Sequence, residues 1–253
     1  MTKRTETAKP TGSATDFIPP RPTLTKLRAA VQGCRGCDLY KCGHAVFGEG
    51  PGRARVMVIG EQPGDVEERK GHTFVGPSGK VLDRAFDAAG IDREDLYLTN
   101  AVKHFKWAKD ARTKRRIHKT PTLGEIRACF PWLEHEIALV KPEVIVCLGA
   151  VAAKALLGRT FSVTKSRGIQ LKSEWAPVVF ATVHPSSVLR APSGERIRAE
   201  RMFVADIRKV ARYLSTGAAA SQRAVDRSRK FSRWPTTAPR SDISSGSTRS
   251  SRA

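Results

Sequence analysis

The chain has no run of about 18 apolar residues, the length a membrane-spanning helix requires. Its first 22 residues, MTKRTETAKPTGSATDFIPPRP, hold no apolar stretch of the kind that heads a secreted protein. An intracellular protein is expected, cytoplasmic and nucleoid-associated if its charge serves DNA. Cysteine is scarce and odd in number, five in 253 residues. Two stand as Cys34-x-x-Cys37, which fits a metal site in a reducing compartment better than a disulfide framework. Acidic residues are few, 24 Asp and Glu against 45 Lys and Arg, a formal charge of +21. That imbalance calls for a polyanionic partner, either nucleic acid or an anionic membrane surface. The glycine-rich GEQPG at 60–64 lacks both a Walker lysine and a G-x-G-x-x-G, so a phosphate-loop enzyme is poorly supported. There is no internal repeat.

What is present is an alternation of strand-like and helix-like segments. RVMVIG (55–60), LYLTN (96–100), EVIVCLG (143–149) and VVFATVHPSS (178–187) contain apolar runs of strand length. Between and around them, 23–33, 80–90, 122–141, 150–158 and 193–214 have helical periodicity, with Thr122 and Glu125 spaced as a capping box and Pro131 as an expected kink. The order predicts a three-layer α/β/α sandwich around a central four-stranded parallel sheet. Residues 1–22 and 217–253 are too polar and aperiodic to pack, so tails are expected around a domain at 23–216. In such a sheet the loops leaving the strand C-terminal ends share one crevice, which would bring GEQPG, Asn100 and HPSS together.

One stretch concentrates the charge. KHFKWAKDARTKRRIHK (103–119) carries eight Lys and Arg against one Asp, with two histidines and the aromatics Phe105 and Trp107. It leaves a strand end, where α/β proteins place ligand chemistry, and it reads as a long basic loop. Lys114, Arg115 and Arg116 are candidates to hold a nucleic-acid backbone without reading sequence.

The segments GEQPGDVEERKGHTFVGPSGKVLDR, LTNAVK, C-x-P-W-L-x-x-E-I, PEVIVCLGAVAAKALLG and TVHPSSVLR resemble the iron–sulfur uracil-DNA glycosylases of family 4, over about residues 30–214. Two departures, Gln62 in the first loop and the extended KRRIH stretch with His104 in place of a cysteine, resemble the UdgX branch of that superfamily. Members of that branch become covalently crosslinked to uracil-containing DNA.

The resemblance implies ligands and roles residue by residue. A [4Fe–4S] cluster would sit on Cys34, Cys37, His104 and Cys129, with Cys42 the rival for the His104 position and zinc the chemical alternative. Phe74 would stack on a flipped uracil in a pocket where Gly60 allows close approach. Asn100 would read its O4 and N3–H, and His184 would bond O2 as negative charge develops there. His118 would attack C1′ in place of water, with Glu61 orienting it or taking its proton and Gln62 positioning either Glu61 or the loop. Three functions follow: a self-crosslinking uracil-DNA glycosylase, a conventional multiple-turnover one, and a non-catalytic uracil-DNA-binding module. The partner would be uracil-containing DNA, single-stranded or with the base flipped out, and the protein a monomer.

Overall fold

The computed structural model describes residues 12–231, with side chains through Thr216. A short helix α1 (Leu24–Ala30) begins where the Thr23 hydroxyl accepts the Lys26 N–H, then the chain turns through Cys34–Cys42. Strand β1 (Val56–Gly60) is buried on both faces, as its unbroken apolar run requires. It leads into α2 (Asp65–Lys70), α3 (Pro77–Ala89) and β2 (Leu96–Asn100). A small antiparallel hairpin follows, β3 (Trp107–Lys109) with β4 (Arg116–His118). Then come α4 (Leu123–Val140), β5 (Val144–Leu148), α5 (Gly149–Leu157), α6 (Val163–Ser166), β6 (Val178–Thr182), α7 (Pro185–Leu189) and α8 (Arg196–Phe231).

The main sheet has the order β2-β1-β5-β6, all parallel, as the sandwich expectation required. After β1 the chain steps to one side for β2 and then crosses back to add β5 on the other. The switch therefore falls between β1 and β5, and a crevice opens beyond their C-terminal ends. One core cluster joins the sheet to α4 and α5 through Met57, Ile59, Tyr97, Leu133, Ile145 and Cys147. A second gathers Ala14, Leu27, Val31, Cys34, Val102, Cys129 and Trp132.

Several boundaries differ from the sequence reading, each for a tertiary reason. The loop at 60–79 contains α2, which has Asp65, Glu67 and Glu68 in its first turn and stops at a left-handed Gly71. α3 starts at Pro77, because proline at the first helical turn has no N–H to lose there. The expected basic loop is a hairpin. The packed region also begins before residue 23: Ala14 is fully buried and donates its N–H to Ala128 O at 2.7 Å. Nothing periodic marks that contact in the sequence. At the other end α8 continues to Phe231, past the expected boundary at 216. The tail expectations for 1–11 and 232–253 lie outside the described residues. Two compact units divide at Arg212 and Tyr213, and the sheet with all residues discussed below belongs to the first. Among the described residues no helix is long and apolar enough to cross a membrane.

Candidate active site

A cavity of about 660 Å³ lies at the switch point, lined by residues from the β1, β2, β5 and β6 C-terminal loops. Glu61, Phe74, Asn100, His118 and His184 all reach it. The three loops that topology alone suggested should converge do so, and the hairpin adds a fourth wall.

Gly60 explains how the floor can be so close. A Cβ there would sit 2.3 Å from Asn100 Oδ1 and 2.7 Å from Phe74 Cζ, so only glycine lets the two side chains meet over β1. Phe74 is buried and holds a positive φ of 51°, unusual for a bulky residue. Its loop is over-determined. Glu49 accepts the Thr73 N–H at 2.9 Å and the Thr73 hydroxyl at 2.7 Å, Arg93 donates to Thr73 O at 2.9 Å, and Glu67 accepts the Gly76 N–H at 2.7 Å. Glu49, Glu67 and Arg93 were not singled out in the sequence. Only their proximity in the fold reveals them.

Asn100 ends β2 with 2% of its surface exposed, and its Nδ2 is buried with no partner among the described residues. A buried donor left unpaired costs roughly 1–3 kcal/mol, so this amide is built for an acceptor from outside the chain. His184 caps α7. Its Nδ1 accepts the Ser186 N–H at 3.2 Å, which fixes the tautomer: the neutral ring carries its proton on Nε2, free to donate. Burial, aided by Arg190 and by His118 once that ring is protonated in acid, pushes its pKa down to about 4. The ring is therefore a neutral donor at physiological pH.

His118 sits at the end of β4, half exposed, with Nε2 3.4 Å from Glu61 Oε1. The pair is in contact without a formed hydrogen bond, since Glu61 Oε1 has no hydrogen-bond partner among the described residues. Burial, aided by Arg190, lowers the His118 pKa, while burial raises that of Glu61 against the opposing pull of Arg190. Both shifts favour an uncharged imidazole.

Gln62 resolves one of the open readings. Its Nε2 donates to Lys106 O at 3.3 Å and Lys119 O at 3.1 Å, and its Oε1 accepts the Lys106 N–H at 2.9 Å. It ties both strands of the hairpin base together and so positions the loop rather than Glu61. Arg116 is engaged within the protein. It pairs with Asp65 and with Glu68 (2.7 Å) on α2 and lies over the Phe105 and Trp107 rings at 5.6 and 5.5 Å. Arg116, expected at the phosphate backbone, here docks the hairpin on α2 through these contacts. Lys114 and Arg115 stay exposed at its tip, with Lys114 bonded locally to Ala111 O. Lys103, counted with the basic stretch, is fully buried.

The thiols occupy a separate wall. Cys34, Cys37, Cys42 and Cys129 all belong to or pack on the second core cluster. Trp132 Nε1–H faces Cys34 Sγ at 3.3 Å and the Lys103 N–H faces Cys129 Sγ at 3.2 Å, the N–H donors that suit coordinated thiolates. Burial drives the Cys129 thiol up to about 12, and Cys34 and Cys37 add to that rise. His104 follows Lys103, whose N–H faces Cys129 Sγ; it is buried, and that burial pushes its pKa down to about 4. Cys42, like Cys37, senses Glu125. Among the described residues no three His, Cys, Asp or Glu side chains converge as tightly as one metal ion requires. A cluster of several irons holds its thiolates further apart than a single ion does, so the donor set of Cys34, Cys37 and Cys129 fits iron–sulfur chemistry. Cys147 lies in the sheet core, apart from this wall.

Residues 47–208 match the family described as the Uracil DNA glycosylase superfamily. The chain is 33% identical over 187 residues to a type-4 uracil-DNA glycosylase of Sulfurisphaera tokodaii, covering 70% of this chain and 81% of that protein. It is 34% identical over 186 residues to a type-4 enzyme of Thermotoga maritima, covering 73% and 91%. A type-5 uracil-DNA glycosylase of Pyrobaculum aerophilum is 30% identical over 184 residues, covering 65% and 76%.

Proposed function

Because this chain belongs to the uracil-DNA glycosylase superfamily, we propose that it excises uracil from DNA and then joins itself to the sugar through His118. The observation that carries the excision is the pairing of an unpartnered buried Asn100 amide with the neutral His184 Nε2–H across one cavity. Asn100 offers a donor for O4 and an acceptor for N3–H, and Phe74 offers a face for the extruded base. When the C1′–N1 bond breaks, its electrons leave with uracil, and the His184 Nε2–H stabilises the charge arriving at O2.

The capture step rests on His118 lining the same cavity beside Glu61. The imidazole lone pair adds to the oxocarbenium carbon at C1′, and the surplus proton of the alkylated ring passes to Glu61 or to water. An imidazole–deoxyribose bond has no good leaving group at neutral pH, so one protein molecule would act once. Lys114 and Arg115 would hold the DNA backbone, and a single strand would present the base at the least unstacking cost.

A second reading, conventional multiple turnover, draws on the identity to the type-4 enzymes. His118→Ala separates the two. Capture predicts that the variant loses the covalent product while still releasing uracil; the second reading predicts no covalent product in either protein. A [4Fe–4S] cluster held by Cys34, Cys37 and Cys129 belongs to the same proposal. In this proposal His104, which follows the Lys103 N–H that faces Cys129 Sγ, supplies the fourth ligand, with Cys42 its rival. The cluster's chemistry here would be structural, pinning the N-terminal turn to α4.

A further inference from the structure

Lys103 is buried where a lysine is costly. Its side chain has no exposed surface, and neither does that of its partner Glu136 on α4, 2.5 Å away. The ammonium spends its three protons on Glu136 Oε2, on Thr99 Oγ1 at 2.8 Å and on the backbone carbonyl of Asn100 at 2.8 Å. Glu136 in turn accepts from Gly48 N–H at 2.9 Å, the Tyr97 hydroxyl at 3.1 Å and the Thr99 hydroxyl at 3.0 Å. The Lys103 backbone N–H points to Cys129 Sγ at 3.2 Å. One residue therefore touches both the thiol wall and the strand end that carries the unpartnered amide.

A buried ion pair is a poor device for stability alone, since well-packed apolar residues of similar volume often do as well or better. What this pair does that an apolar pair cannot is grip the carbonyl of Asn100 and the hydroxyl of Thr99 from beneath the sheet end. The Asn100 amide itself has nothing holding its Nδ2 from the cavity side. Its direction is set by its backbone and by the close contact over Gly60. We propose that Lys103, held by Glu136, is a positioning residue that aims the Asn100 amide into the cavity. The inference rests on the reading of the cavity as a uracil site.

Asn100 is the only asparagine in the 253 residues, so protein grown with side-chain ¹⁵N-labelled asparagine shows one NH2 pair in a proton–nitrogen correlation spectrum. The test compares full-length wild type with Lys103→Met/Glu136→Gln, which removes both charges and leaves an oxygen acceptor for Gly48 and Tyr97. The expected result is a folded protein whose NH2 pair moves toward the position of free asparagine. Uracil release should fall roughly 100-fold in kcat/KM, as a displacement near 1 Å would cause, with affinity for a thymine oligonucleotide unchanged. A folded double variant that keeps the wild-type NH2 pair overturns the inference. If the double variant does not fold, Lys103→Met alone decides, because Glu136 keeps the Gly48, Tyr97 and Thr99 donors. The same displacement is expected, and unmoved resonances overturn the inference. Wild-type protein that releases no uracil would instead sink the reading of the cavity, and the resonances would still judge the positioning role.

Discussion

At the scale of single residues, the cavity depends on groups kept neutral in places where a charge would be costly. Burial holds His184 at a pKa of about 4 and also lowers His118 below the ordinary 6.5. Acid should therefore affect the two differently. Capture by His118 needs the free imidazole, so its rate should stay flat from about pH 8 to 7 and fall only as pH drops below the histidine range near 6.5. A single-turnover time course at several pH values reads this directly; a rate still climbing above pH 7 would contradict it. His184 has a stability signature as well. The unfolded chain takes up its proton near 6.5 and the folded chain only near 4, so its contribution is complete above 6.5 and is lost as pH falls toward 4. The loss reaches at most about 3 kcal/mol from this group. A melting temperature that declines over that window in wild type, and less in His184→Gln, is the expected outcome.

At the scale of elements, the hairpin sets where His118 stands. β3 and β4 pair Trp107 with His118, Gln62 bridges the hairpin base, and Arg116 fastens it to α2. Gln62→Ala removes three hydrogen bonds to the backbone of Lys106 and Lys119 without touching His118 or Asn100. The covalent product should form at least about tenfold more slowly, while uracil release changes less, because misplacement of a reacting group by about 1 Å costs up to about 100-fold. Quantifying both products from one reaction checks the split. This element also shows where sequence reading stopped. The strands β1, β2, β5 and β6 were legible because each opens on an apolar run, and the capping box at Thr122 and Glu125 because its spacing is local. The hairpin was not legible: three-residue strands set in a stretch dense in Lys and Arg are too short for an alternation to show, and their base is tied by Gln62, more than forty residues earlier. For the same reason Arg116 and Lys103 read as solvent-facing charge. Only the fold brings Asp65, Glu68 and Glu136 to them.

At the scale of the whole molecule, the thiol wall joins three distant segments. Ala14 rests beside α4, the Cys34–Cys37 turn follows α1, and Cys129 belongs to α4 next to the fully buried Trp132. Cys129→Ser should lose the iron and much of the stability, since it removes a ligand and leaves a hydroxyl in an apolar wall. Iron analysis with a melting curve tests this, and undiminished iron in that variant would remove Cys129 from the ligand set. Cys42→Ser and His104→Ala, run beside it, distinguish the fourth ligand. That Asn100, Phe74 and His184 would meet in one cavity was legible from the motifs and the topology, whereas the surroundings of His104 were not, because Glu68 comes to it from α2 and His44 from the turn before β1. The net charge of +21 suits a partner whose grip weakens with salt, but the chemistry belongs to one cavity.

The measurement that tests the central claim most directly is a denaturing gel after mixing the protein with a uracil-containing single-stranded oligonucleotide. The account predicts a band of protein joined to DNA that survives heat and detergent, is absent with a thymine control and absent with His118→Ala. An alkali-labile abasic strand with no such band would contradict the capture step and leave a conventional glycosylase, and an intact oligonucleotide would contradict the excision itself.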